Sequence, residues 1–326
     1  MKKVTVLQFV FLLVTLIACA SKTSDRYREG NNEGQEVALS VDEEKQLTKE
    51  ALAQMSKEYP PAKSPELQAY ITKLGQKLVR ENNLNNNPYS YNFTVVDVPH
   101  VNAFALPAGS IFVTAPIIAM ADSEAELAGV IGHEIGHVTA RHTAERMYIA
   151  KKEQGKTWLI GGVGAVLGGA AGYFLGKKMC DPKDTACRAK FALYGIGGGA
   201  GAGLMVQKYG FMKNSQEDEL ESDRVGFRYA SVAGYDKNKI GDFYTKLQAM
   251  EQEAKRNQNG FMGWLSDAMA SHPPSAARVE QANELKAKTR SSGSIGVTSE
   301  FQEMKRLAQE MVKKTKAAQP KTQAAN

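Results

Sequence analysis

The chain opens on an apolar run, residues 4–18, behind Lys2 and Lys3. Fifteen residues fall short of the roughly 20 that a helix needs to cross a bilayer core. The run therefore reads as a secretory signal. Residues 21–35 are polar, carry Gly30 and Gly34, show no apolar period, and read as a tether. Helical spacing begins at Ser40, where Ser40 and Glu43 form a capping box ahead of an amphipathic helix to Tyr59. Ser64-Pro65 starts a second helix, to about Arg80, with proline at its first position. An asparagine-rich loop follows over residues 81–88.

Residues 93–98 and 110–114 are rich in β-branched side chains and predict two strands. Between them, residues 102–106 run into Pro107, which confines any strand there to an edge or an irregular one. Ser123 and Glu126 predict another capping box and a long helix to about Met147. Over residues 158–206 glycine recurs every fourth position, at Gly164, Gly168, Gly172 and Gly176 and again at Gly195, Gly199 and Gly203. That period lines one helix face with missing side chains and predicts a glycine-rich helical hairpin. Its runs are too short and weakly apolar to span, so it reads as lying beside a cleft, with membrane insertion as the alternative. Further helices begin near Gln216, Asp242, Ser275 and Ser299. The expected fold is α+β, mainly helical, with a small sheet.

Composition narrows the class. Hydrophobic residues make up 43% and charged residues 23% of 326, the balance of a folded protein rather than a disordered one. Without Lys2 and Lys3 the formal charge falls from +6 to +4, and much of it sits in the last residues. No clustered basic face points to nucleic acid. Three cysteines exclude a disulfide-rich scaffold. Cys180 and Cys187 share the hairpin loop and would pair in an oxidising compartment, or else remain two separate buried thiols.

His133-Glu134-Ile135-Gly136-His137 lies inside the Ser123-capped helix. Histidines at i and i+4 share a face, so both rings can reach one zinc ion at about 2.0–2.1 Å. Glu134, turned about 100° away, can take a proton from water activated by the metal. Catalytic zinc calls for a third protein ligand. His142 is out of register for it and reads as a local hydrogen-bonding residue; His100 reads as loop surface. Acids crowd the helix near Gln216, where the helix dipole alone favours them. Glu219, Asp223, Gly226 and Ala230 nevertheless form one stripe, and Gly129, His133, Gly136, His137 and Ala140 form another. Packed together, the stripes would bring Glu219 to the metal and Asp223 to an imidazole N–H. Glu221 is the second choice.

Several motifs occur in order: Ala103-Phe104-Ala105-Leu106-Pro107-Ala108-Gly109, Glu126-Leu127-Ala128, the His133–His137 motif with Ala140-Arg141-His142, and Glu219-Leu220-Glu221-Ser222-Asp223. Together they resemble peptidase family 48 of the metallopeptidases over residues 40–289. The resemblance implies a zincin-like domain holding one Zn2+ per chain through His133, His137 and Glu219, with Glu134 catalytic. It also implies His272 beside the metal, either donating to the oxyanion or filling the open coordination position, with Arg278 helping to hold it or the substrate. Ser222 stands where the family usually has alanine, and Ala108 where a second glycine is common.

Leu16-Ile17-Ala18-Cys19 resembles a bacterial lipobox, which would make Cys19 a lipid anchor, with outer-membrane sorting facing the periplasm. A simple signal with a chance cysteine is the alternative. The expected organisation is a signal over 1–18, a tether over 19–39, and a peptidase domain over 40–290 with 158–206 as an insertion. A C-terminal helix over 291–312 and a disordered basic tail over 313–326 complete it. Family members of this short lipoprotein type imply misfolded or stalled envelope proteins as substrates. Phe104, Ala105 and Leu106 could offer an edge strand to an extended peptide. A chaperone-like module that seldom cleaves, and a membrane-inserting role for the hairpin, are the rival readings. The oligomeric state is open.

Overall fold

The computed structural model describes residues 30–149, 152, 214–257 and 272–318. The signal segment, Cys19, the whole glycine-rich stretch 158–206 with Cys180 and Cys187, and residues 319–326 lie outside them.

Helix α1 (Val41–Glu58) begins with the expected reciprocal cap: Ser40 Oγ accepts the Glu43 N–H and Glu43 Oε2 accepts the Ser40 N–H. Helix α2 (Pro65–Glu81) starts with Ser64 Oγ accepting the Leu67 N–H, and buries Leu67, Ile71, Leu74 and Leu78 on one face. Three strands follow: β1 (Asn92–Val96), β2 (Ala103–Ala105) and β3 (Ser110–Thr114). Their order is β1-β3-β2, with β1 parallel and β2 antiparallel to the central strand. Alternation sorts their side chains onto two faces. Phe93, Val95, Ala103, Ile111 and Val113 enter the main core, while Val96, Phe104 and Phe112 pack with Ala51 and Met55 of α1. The edge strand ends before Pro107. Ala108 follows at φ 63°, in the left-handed region, where glycine is free of strain, a physical reason for glycine being common there.

A short helix α3 (Ala115–Met120) leads to α4 (Glu124–Thr139). Ser123 Oγ accepts the Glu126 N–H at 3.1 Å, but the box is not closed as expected. Glu126 Oε2 instead accepts the Asp122 N–H at 3.1 Å and meets Lys246 Nζ at 3.0 Å, a stronger, charge-assisted partner. Leu127, Ile131 and Ile135 of α4 are fully buried, each contributing about 1.5–3 kcal/mol. Beyond α4 come α5 (Gln216–Val232), α6 (Lys237–Ile240), α7 (Asp242–Asn257), α8 (Ala276–Lys288) and α9 (Ser299–Ala318). No described helix is long and apolar enough to cross a membrane.

Three expectations change. The helix expected to run to Met147 stops at Thr139, because Arg141 takes φ 54°, and a separate helical stretch covers residues 142–149. A left-handed residue costs about 1–2 kcal/mol. Here Arg141 pairs with the buried carboxylate of Glu44 at 3.0 Å and donates to Leu39 O at 2.7 Å, which offsets that cost. Next, α9 continues through residues 313–318, where a disordered tail was expected to begin. Third, residues 30–39 are not a free tether. Asn32 Nδ2 donates to Thr139 O at 2.8 Å, Gln35 Nε2 to Ala140 O at 2.7 Å, and Ala38 N to Ala144 O at 3.0 Å. The last carbonyls of a helix lack intrahelical donors. The polar character that bars this segment from a core is what lets it supply them.

Candidate metal centre

The site is built where α4 and α5 touch backbone to backbone. A Cβ on Gly226 would lie 2.5 Å from the His133 amide nitrogen, and one on Gly132 would lie 2.8 Å from Gly226 O. Gly136 faces Ser222 O, 3.1 Å from where its own Cβ would be. The two small-residue stripes do meet, with Gly132, absent from the expected stripe, at the closest crossing. Only this approach lets side chains from both helices share one point.

His133 and His137 present Nε2 atoms 2.9 Å apart. Glu219 Oε2 lies 3.4 Å from His133 Nε2, and its Oε1 lies 3.4 Å from His137 Nε2. His272 joins them, its Nδ1 3.2 Å from His133 Nε2 and 3.1 Å from Glu219 Oε1. The four residues form a group with ligand atoms all within 4.8 Å of one another. Four atoms each about 2.0–2.1 Å from a common tetrahedral centre would be about 3.3–3.4 Å apart, so these spacings fit one ion. Charge fits as well. Glu134, Glu219 and Asp223 bring three buried carboxylates against the single guanidinium of Arg278, and a divalent cation balances the remaining two.

Glu134 is buried, with Oε1 3.4 Å from His272 Nε2. Burial pushes its carboxyl above the ordinary value, against the pull of His272 and His133. Burial also opposes ionisation of Glu219, yet His272, Arg278 and His133 hold it well below the usual carboxylate range. The same contest at His133 is won by Glu219 and Asp223, which raise the ring to about 9 against burial.

The supporting shell has two arms. His133 Nδ1 lies 2.7 Å from Asp223 Oδ1, and Arg278 clamps Asp223 through Nε at 2.6 Å and a second nitrogen at 2.7 Å. Arg278 also reaches Glu219 Oε2 at 2.8 Å and stacks 4.5 Å from the Tyr244 ring centroid. Asp223 thus packs behind His133, and Arg278, expected to hold His272 or the substrate, meets the carboxylates of Asp223 and Glu219. The second arm was missed: His137 Nδ1 lies 2.8 Å from His142 Nδ1, and His142 Nε2 lies 3.4 Å from Glu221 Oε2. Glu221 consequently points away from the metal group. Asn214, whose amide donates to Glu219 Oε1 at 2.9 Å, and Tyr244 carry no signal in the sequence. His100 is not among the four clustered residues.

Edge strand β2 runs beside this group. Ala103 and Asn102 line an apolar cavity of about 30 Å³ with His133, Glu134, Phe243 and Leu247. Ala105 and Leu106 border a smaller hollow with His137. The Phe104 side chain is buried, stacked 4.9 Å from Phe112 and meeting Tyr59 edge-on at 4.9 Å.

Residues 65–286 match the model of peptidase family M48. A β-barrel assembly-enhancing protease of Yersinia pestis is 28% identical over 252 residues, 76% of this chain and 46% of the relative. The Escherichia coli K12 protein of the same name is 28% identical over 209 residues, 64% of this chain and 38% of the relative. A mitochondrial metalloendopeptidase OMA1 of Arabidopsis thaliana is 31% identical over 199 residues, 60% of this chain and 32% of the relative. The chain thus spans less than half the length of each. With the family model covering residues 65–286, around the His133–His137 helix, Glu219 and His272, the chain belongs to peptidase family M48.

Proposed function

We propose that this chain is a zinc-dependent endopeptidase of the bacterial cell envelope that hydrolyses peptide bonds in misfolded or stalled envelope proteins. The observation that carries the reading is the convergence of His133, His137 and Glu219 on one point, with buried Glu134 beside it. His133 Nε2, His137 Nε2 and a Glu219 oxygen would hold one Zn2+ per chain. When bound, the ion supplies Lewis acidity that polarises the scissile carbonyl and acidifies water. Glu134 takes a proton from the attacking water as its oxygen joins the carbonyl carbon. It returns that proton to the amide nitrogen as the C–N bond breaks, leaving a carboxylate and an amine. Asp223, clamped by Arg278, holds His133 with Nε2 facing the metal position.

Substrate selection follows from β2. An extended peptide added at a sheet edge is held by main-chain hydrogen bonds, so the strand at 103–105 favours any unfolded chain over a folded one. The names of the two bacterial relatives support β-barrel proteins as targets. The lipobox-like sequence at Cys19 supports a lipid anchor in the outer membrane, facing the periplasm. His272, at ligand spacing from His133 and Glu219, would fill the remaining coordination position of a bound ion and would then have to withdraw for substrate to enter.

The test uses the purified full chain loaded with zinc and a urea-denatured outer-membrane β-barrel as substrate. Glu134→Gln removes the base and no ligand, so zinc content stays at one per chain while cleavage falls about 10²–10⁴-fold. Undiminished cleavage by that variant would overturn the mechanism.

A further inference from the structure

His142 lies within hydrogen-bonding distance of a ligand histidine. An unbroken helix would put residues 137 and 142 about 140° apart around its axis. The left-handed turn at Arg141 breaks the helix and brings the two rings together, Nδ1 to Nδ1, at 2.8 Å. His137 shows its Nε2 to Glu219 and His133. To bind metal there, His137 must carry its proton on Nδ1. That proton points at His142 Nδ1, which therefore accepts, and His142 carries its own proton on Nε2. Its Nε2 is directed at Glu221 Oε2, 3.4 Å away, with Asp218 Oδ1 at 4.0 Å. Ser222 Oγ lies 3.3 Å from the same His142 Nδ1. Glu221 Oε1 accepts the Gly30 N–H at 3.1 Å. His142, Glu221 and Ser222 are buried, while His137 at one end and Gly30 at the other are partly exposed.

We infer that His142 is a positioning residue for the metal site, an imidazole that accepts the His137 Nδ1–H and fixes which nitrogen of His137 faces the ion, with Glu221 setting its own tautomer. The arm is unlike that of His133, where a carboxylate accepts directly. An intervening neutral imidazole passes on orientation with less negative charge, leaving His137 the less electron-rich of the two ligands. The inference rests on His133, His137 and Glu219 being a zinc site, and wild-type zinc binding tests that separately.

Two measurements on the full chain decide it. Zinc affinity is read by competition with a chromophoric chelator in wild type, His142→Leu and His142→Asn. Asparagine keeps an acceptor near the Nδ1 position and leucine does not. The leucine variant is expected to bind zinc about 10–100-fold more weakly, with the asparagine variant recovering most of the loss while both metal-free forms melt at similar temperatures. Equal weakening in both variants, or wild-type affinity in the leucine variant, overturns the inference. Nitrogen-15 spectra of the zinc-loaded wild type require no variant to fold. They should report His142 as the Nε2–H tautomer and His137 as Nδ1–H. His142 found protonated on Nδ1 overturns the inference, whereas failure of the wild type to bind zinc overturns the metal site itself.

Discussion

At the scale of single residues, the two nitrogens of His272 face different partners. Nδ1 sits 3.2 Å from His133 Nε2, and Nε2 sits 3.4 Å from Glu134 Oε1. With an ion held by His133, His137 and Glu219, this one ring would stand both where a fourth ligand would bind and beside the base that a substrate carbonyl would have to approach. Competition of this kind makes the rate depend on how often the ring is elsewhere. A preference of about 1.4 kcal/mol for the closed arrangement holds back about nine-tenths of the molecules. His272→Ala, assayed at saturating zinc on a denatured β-barrel, should then cleave about tenfold faster. A loss of about 10²–10³-fold would instead assign the ring to the oxyanion. The identity of the ring was implied by the family resemblance, but its distance from the metal group was not. His142 was not legible as a partner of His137, because the turn that brings it there depends on Arg141 finding Glu44, 97 positions away in the chain.

At the scale of elements, the crossing of α4 and α5 sets the geometry on which the ligands depend. Helices normally pack 8–10 Å apart, held off by side chains, whereas here Gly132 and Gly226 remove them at the crossing. Gly226→Ala forces a Cβ to within 2.5 Å of the His133 amide nitrogen, which is backbone and cannot step aside. Overpacking of this sort costs about 1–3 kcal/mol, read as a lower urea midpoint of the metal-free chain. Because the displaced backbone carries a ligand, zinc affinity should fall as well. Gly136→Ala, with 3.1 Å to Ser222 O, should do less on both counts. If the two variants prove equally harmful, close approach at Gly226 is not what sets the site. Here the sequence was readable in advance: glycine, alanine and ligand residues recur at helical spacing on both segments. The pairing of Gly132 with Gly226 was not readable, since periodicity names a face and leaves the crossing point open.

At the scale of the molecule, the segment over residues 30–39 packs against the back of the metal site. It supplies donors to Thr139 O, Ala140 O and Ala144 O, and its Leu39 carbonyl receives Arg141. Gly30 reaches Glu221, the carboxylate behind His142. A chain begun at Gly30 keeps all these bonds, and one begun at Ser40 loses them and strands the carbonyls that end α4. The first should match the full-length protein in melting temperature and zinc affinity. The second should lose several degrees, each unmade net hydrogen bond being worth about 0.5–1.5 kcal/mol, and should release zinc to a chelator more readily. Identical behaviour of the two truncations would mean that the strap is incidental to the site.

Local chemistry is what the amino-acid order determined by itself. Caps at Ser40, Ser64 and Ser123, the proline that ends β2, and two histidines one turn apart around Glu134 all act over four residues or fewer. Their outcome could be read from neighbours in sequence. Glu219 and Asp223 could be placed as candidates because helical periodicity extends local rules along an element. Tertiary structure alone decided the rest. It selected Glu219 over Glu221 by turning one carboxylate to His133 and His137 and the other to His142. It stopped α4 at Thr139 through an ion pair between Arg141 and Glu44. It turned a polar segment that cannot make a core into the cap of a helix end. Each of these choices rests on groups brought together from distant parts of the chain. Their energies depend on desolvation and on partners that no local window contains.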